Sequence, residues 1–168
     1  SMQVPYRKSH EPPFRTVVIG PCFRNEATDA THEHSFNQIE GFVVDENVSV
    51  ENLVYILKNV ISSLLGTDEI EVRLRPAFFP FVEPGYEMDF RSTREEDVNM
   101  RMHEHDGWVE LLGCGMIHPE VFKHAGFDHK KYTGFAFGVG FDRLVMMKYG
   151  IDDIRHFNSG DLRFVEQF

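Results

Sequence analysis

The stretch Phe36-Asn37-Gln38-Ile39-Glu40-Gly41-Phe42-Val43-Val44 decides the architecture. Aromatic and β-branched residues suit a pleated strand, and side chains on a strand alternate between its two faces. Phe36, Gln38, Glu40 and Phe42 therefore share one face, and Asn37, Ile39, Gly41 and Val43 share the other. A ring, an amide and a carboxylate in a row describe, on their own, a solvated sheet face. Upstream, residues 16–19 form a β-branched run that Gly20-Pro21 interrupts and Cys22-Phe23-Arg24 resumes. The polar run 25–35 predicts a loop between the two strands, so the pair reads as a long-looped antiparallel hairpin.

Downstream, Val50, Leu53, Val54, Leu57, Val60, Ile61 and Leu64 recur at helical spacing. Ser49 can cap this helix and Gly66 can close it; its apolar stripe is expected to cover one face of a sheet. Residues 70–74 alternate as a strand. Pro76 and Pro80 interrupt the chain beyond that strand, and Pro84-Gly85 predicts a turn. Residues 86–90 and 108–112 read as another hairpin, separated by a charged run, 91–107, that predicts a mobile surface insertion. Pro119 can start a short helix. Residues 134–140 read as a glycine-rich strand and 141–149 as a helix closed by Gly150. Pro12-Pro13 punctuates the start, and the residues before it offer no evident helix or strand. This order predicts an α+β fold with a mainly antiparallel sheet flanked by helices.

The 168 residues suggest one domain, 42% hydrophobic and 26% charged. A net charge of -10 means the overall field does not steer the chain to nucleic acid. Cys22 and Cys114 fit no disulfide framework, which points to a reducing cytoplasm. No run of 18 apolar residues predicts a membrane span, and the first residues lack the apolar core of a signal peptide.

Three constellations could carry chemistry. In the first, Arg24 can fork onto a phosphate or carboxylate, Glu26 can accept from an amino group, and Phe36 can stack on a base. Unaided, Arg24 and Glu26 make an ordinary surface pair. In the second, Phe79 and Phe81 lie on one side of an extended backbone and can meet a third ring, or simply fill a core. The third is Gly134-Phe135-Ala136-Phe137-Gly138-Val139-Gly140-Phe141-Asp142-Arg143. Its glycines permit close approach of a ligand, and a helix start carrying Arg143 attracts anions. It lacks the ending of a phosphate-binding P-loop and the spacing of a dinucleotide fingerprint. His32-x-His34 and His103-x-His105 are the best metal candidates, but the cysteines lack zinc spacing, so no zinc site is expected.

Together these segments resemble the class II aminoacyl-tRNA synthetases, specifically the α chain of bacterial phenylalanyl-tRNA synthetases. Residues 15–44 are similar to that family's second signature motif, with Phe23-Arg24-Asn25-Glu26, Asp29-Ala30-Thr31-His32 and Phe36-Asn37-Gln38-Ile39-Glu40-Gly41. The segment 78–85, with Phe79-Pro80-Phe81-Val82-Glu83-Pro84, resembles its phenylalanine pocket. Leu112-Gly113-Cys114-Gly115-Met116 and His118-Pro119 resemble its next strand and turn, and 134–150 its third motif. Tyr149-Gly150-Ile151-Asp152-Asp153-Ile154-Arg155 and the ending from Leu162 to Phe168 are similar too. The likeness runs in order along nearly the whole chain.

The resemblance implies a partial class II catalytic domain over 1–168 that makes phenylalanyl-tRNA through a phenylalanyl-adenylate. It implies that Arg24 holds the α-phosphate and the amino-acid carboxylate. Glu26 would read the adenine amino group, Phe36 stack on adenine, His32 face the outer phosphates and Arg143 the γ-phosphate. Gln38 and Glu40 would receive the substrate ammonium. Phe79 and Phe81 would clasp the phenyl ring, with Val82, Ala136 and Gly138 lining the pocket. Glu83 would be a magnesium ligand shared with a β subunit. Implied partners are ATP, Mg2+, phenylalanine, tRNA(Phe) and that β subunit, in the cytoplasm. The family's first signature motif, a His-Thr-Ser segment and an N-terminal coiled coil would fall before residue 1, so full activity is expected to need more than these residues. Two rivals remain: a truncated non-enzymatic relative that binds an amino acid, nucleotide or protein partner, and a class II enzyme for another amino acid.

Overall fold

The computed structural model describes residues 3–93 and 107–168, and the segment 94–106, most of the predicted insertion, lies outside the described residues. Six strands form one antiparallel sheet in the order β1-β2-β6-β5-β4-β3. They are β1 (Phe14–Phe23), β2 (Ser35–Asp45), β3 (Ile70–Pro76), β4 (Val82–Ser92), β5 (Val109–Ile117) and β6 (Thr133–Gly140). The expected hairpins are present: β1 pairs with β2, and β4 with β5. The last strand inserts between them, against β2 on one side and β5 on the other.

Two helices cover one face. Helix α2 (Val50–Leu65) is closed at its start by a reciprocal capping box between Ser49 and Asn52, and at its end by Gly66 at φ 72°. It buries Leu53, Leu57 and Ile61 against Met88, Phe90, Leu112, Phe135 and Val139. Val60, counted in the predicted apolar stripe, faces solvent instead. Helix α4 (Phe141–Tyr149) adds Leu144 and Met147 to the same core. This face takes Ile39 and Val43 from β2, as the alternation predicts.

The opposite face is sealed at one end only. Phe42, Val44, Ala136 and Ile117 pack there with Phe122 of α3 (Pro119–Ala125) and with Tyr6 and Phe14. Tyr6 and Phe42 meet edge to face at 5.6 Å, as do Phe14 and Phe42 at 6.0 Å. Toward Glu40, Gln38 and Phe36 the same face opens into a cavity.

Three expectations need correction. Residues 3–9 form a helix, α1 (Gln3–Ser9), where no element was expected; Pro5 lies in its first turn, where a missing N–H costs nothing. The first strand runs unbroken through Gly20-Pro21, because β1 is the sheet edge and proline is tolerated there. Pro84-Gly85 is not a turn but lies inside β4, where the register shifts between Val82 and Gly85. Gly85 passes so close to residue 77 that a Cβ would stand 2.7 Å from the Ala77 carbonyl oxygen. Beyond α4 the chain folds back as a 3-10 helix (Ile154–Asn158) and α5 (Leu162–Val165).

Candidate active site

The open end of the sheet face forms a cavity of about 670 Å³. Its floor follows from strand register. Glu40 faces Gly138 across β2 and β6, Gly138 faces Gly113 across β6 and β5, and Gly113 faces Glu87 across β5 and β4. Two glycines side by side leave a bare strip of backbone between two carboxylates. The bareness is used. A Cβ on Gly138 would stand 2.4 Å from Gln38 Nε2, and one on Gly113 would stand 2.9 Å from Phe79 Cζ. Gly138 thus admits the Gln38 amide, and Gly113 the Phe79 ring.

Phe79 and Phe81 line the cavity, but not from an extended backbone. The Val82 N–H donates to the Phe79 carbonyl at 3.2 Å, closing a tight turn. That turn brings the two rings to 6.0 Å with 27° between their planes. Val82 and Ala136 also line the wall.

The cationic side is built from the β1–β2 loop and the start of α4. Arg24 N–H donates to the His34 carbonyl at 2.9 Å, closing the base of the loop. The Arg24 guanidinium lies 4.9 Å from the Phe36 ring centre and 3.8 Å from Glu26. Within the loop, the Asp29 carboxylate accepts from the backbone N–H of Thr31 and His32 and sits 3.0 Å from His32 Nδ1. The Thr31 N–H, followed by His32, holds this carboxyl well below its usual range. Ile154 N–H of the 3-10 helix donates to the Ala30 carbonyl at 2.9 Å, tying the loop to the chain's last segment.

Arg143 rises from the first turn of α4 into the cavity. Burial pushes its guanidinium below its ordinary pKa, and the Glu110 charge opposes that shift. Its Nε is buried with no hydrogen-bond partner, and no ion pair of Arg143 occurs among the described residues. A guanidinium whose Nε is buried without a partner is costly unless an anion completes it.

Arg24, Glu26, His32, Phe36, Gln38, Glu40, Phe79, Phe81, Val82, Ala136, Gly138 and Arg143 therefore all line one cavity. Sequence reasoning missed Glu87, Glu110 and Gly113. The predicted 86–90/108–112 hairpin held the signal, but not the register that aims Glu87 and Glu110 inward. Arg75 binds both, at 2.9 and 3.1 Å, and also Asp89 at 2.7 Å.

Glu83 is the exception among the expected residues. It does not line the cavity, and its carboxylate accepts from His118 Nε2 at 3.0 Å. His118 Nδ1 accepts from the Glu120 N–H at 3.1 Å as the cap of α3, which places the ring proton on Nε2. Among the described residues no group of three or more His, Cys, Asp or Glu side chains gathers to hold a metal. A magnesium site shared with a partner subunit, as expected of Glu83, would need only part of its ligand set from this chain. His103 and His105 lie outside the described residues.

The description "tRNA synthetases class II core domain (F)" matches this chain across residues 1–168. The chain belongs to the class II tRNA synthetase core family. Within this family it is 50% identical, over all 168 residues, to a phenylalanine--tRNA ligase alpha subunit of Leptospira biflexa, covering 49% of that protein. It is 48% identical over 162 residues, 96% of the chain, to one of Staphylococcus saprophyticus, covering 46% of it. The chain thus spans about half the length of these curated relatives. Two solved pyrrolysyl-tRNA synthetase structures from Desulfitobacterium hafniense share the class II fold. One matches 92% of this chain and 49% of its own with a TM-score of 0.58 at 19% identity. The other matches 95% and 51% with a TM-score of 0.59 at 16% identity. The antiparallel sheet expected from the sequence is the class II sheet. No described helix is long and apolar enough to cross a membrane.

Proposed function

We propose that this chain is the catalytic part of an α subunit that activates phenylalanine with ATP and transfers it to tRNA(Phe), working with a β subunit in the cytoplasm. One observation carries the reading: a single cavity holds two guanidiniums, Arg24 and Arg143, together with a ring pair, Phe79 and Phe81, and an amide and carboxylate, Gln38 and Glu40. That distribution fits an amino acid with an aryl side chain beside a polyphosphate.

In the proposed reaction a phenylalanine carboxylate oxygen attacks the α-phosphorus of ATP. The new O–P bond forms as the bond to pyrophosphate breaks. Two anions must meet, and no enzyme nucleophile is needed, so catalysis rests on positioning and charge neutralisation. Arg24 neutralises the carboxylate and α-phosphate; Arg143 and His32 face the outer phosphates. Phe36 stacks on adenine and Glu26 accepts from its amino group. Glu40 and Gln38 receive the substrate ammonium, since a desolvated cation needs such partners. Phe79, Phe81, Val82, Ala136 and Gly138 enclose the phenyl ring. Magnesium would accompany ATP as its counter-ion, with Glu83 as the ligand this chain would share with a β subunit.

Phenylalanine-dependent exchange of pyrophosphate into ATP, measured with and without a β subunit, tests this. Exchange driven by phenylalanine is expected. Exchange driven by another amino acid moves the assignment within the family, and ligand binding without exchange in any assembly defeats the catalytic reading.

A further inference from the structure

Asp142 is buried in the first turn of α4 and has no part in the ligand contacts proposed above. Both of its carboxylate oxygens serve one residue. The Asn37 backbone N–H donates to Oδ2 at 2.8 Å, and the Asn37 amide Nδ2 donates to Oδ1 at 3.2 Å. The pairing of β2 with β6 ends at Gln38 and Gly140, so beyond that point β2 keeps β1 on one edge and has no strand on the other. The Asp142 carboxylate takes the place of the missing strand. A negative charge there also suits the N-terminal end of a helix.

The neighbours of this bond give it meaning. Asn37 lies between Phe36 and Gln38, and Asp142 immediately precedes Arg143. All three neighbours, and Asp142 itself, line the cavity. One carboxylate therefore joins the backbone carrying the aromatic platform and the amide to the backbone carrying the Arg143 guanidinium.

We propose that Asp142 is a positioning residue: its two bonds to Asn37 set the distance between β2 and α4, and so between the amino-acid and phosphate ends of the site. The inference rests on the proposed function and deepens it. Without the clip each half of the site keeps its own contacts, so each substrate still binds. The reaction needs both halves in register at once, and misplacement by about 1 Å can cost about 100-fold in rate.

The test uses the full-length protein with Asp142→Ala and Asp142→Asn. In Asp142→Asn one amide oxygen still accepts the Asn37 N–H, and its NH2 can donate to a flipped Asn37 side chain. The expected result for Asp142→Ala is a fall in kcat of the exchange reaction of about 10- to 100-fold, with KM for ATP and phenylalanine nearly unchanged. Asp142→Asn is expected to recover most of that loss. Hydrogen exchange at the Asn37 amide should accelerate in Asp142→Ala and not in Asp142→Asn. Unchanged kcat per active site in Asp142→Ala, or an unchanged Asn37 amide, overturns the proposal. If Asp142→Ala does not fold, Asn37→Ala decides, because it removes one arm of the clip at an exposed position; wild-type kcat in it overturns the proposal. A wild-type protein without exchange defeats the proposed function instead, and the clip is then judged on the Asn37 amide alone.

Discussion

Ala136 sits on β6 facing the cavity, opposite Phe42 on one side and Gly115 on the other, and is 2% exposed. Removing its methyl group deepens the wall beside the ring pair without touching the guanidiniums. Ala136→Gly is therefore expected to let the site activate para-substituted phenylalanines, at little cost to ATP use. Comparing exchange rates for phenylalanine and a para-chloro analogue checks this; unchanged selectivity places the aryl group elsewhere. At this scale the family resemblance, rather than residue chemistry alone, singled out the residues that line the cavity. Unaided, Arg24 and Glu26 read as a surface pair, Phe79 and Phe81 as core rings, and Gln38 and Glu40 as part of a solvated face. Glu87 and Glu110 were not legible, since a glutamate on a strand ordinarily faces open solvent and nothing local tells that this sheet face lines a cavity. Only the register across Gly113 aims Glu87 inward.

At the level of elements, β3 and β4 are joined through Asp89, which is buried, and Arg73 and Arg75, which are half-exposed. Burial acts to raise the Asp89 pKa. The hydrogen bonds from Arg75 and Arg73 outweigh it and hold the carboxyl below its ordinary value of 3.8. Its contribution is thus full above pH 3.8 and is lost as the pH falls toward the folded value. Asp89→Asn is expected to cost about 2 kcal/mol at pH 7, below the roughly 3–5 kcal/mol of a fully buried pair, because the arginines keep much of their hydration. Urea unfolding at pH 7 and pH 3 checks it: the gap between variant and wild type should narrow in acid. Helix α2 was legible because its period and caps agree. Helix α1 was not, since its stability comes from Tyr6 packing on Phe14 and Phe42 rather than from local sequence. The course of 84–85 was hidden because a Pro-Gly pair signals a turn locally, while the bulge that keeps it in β4 depends on its neighbours.

Across the molecule, Cys114 reports on cooperativity. It lies in β5, a central strand, and burial pushes its thiol pKa up to about 12. The thiolate is the reactive form, so iodoacetamide at pH 8 is expected to modify half-buried Cys22 and spare Cys114. In urea, Cys114 should react along the same curve as loss of circular dichroism, because only global opening frees a central strand. Earlier reaction would mean that the site half of the sheet opens by itself. The insertion of β6 between two hairpins, which creates that half, could not be read locally: it is a pairing between segments about a hundred residues apart. The strip of Gly113 and Gly138 carries a final implication. A recess made by absent side chains has no rotamers to adjust, so its depth is fixed wherever the main chain is fixed. Selection for bulkier amino acids must then act on the walls, and replacement of either floor residue would fill the recess from below and displace Phe79 or Gln38.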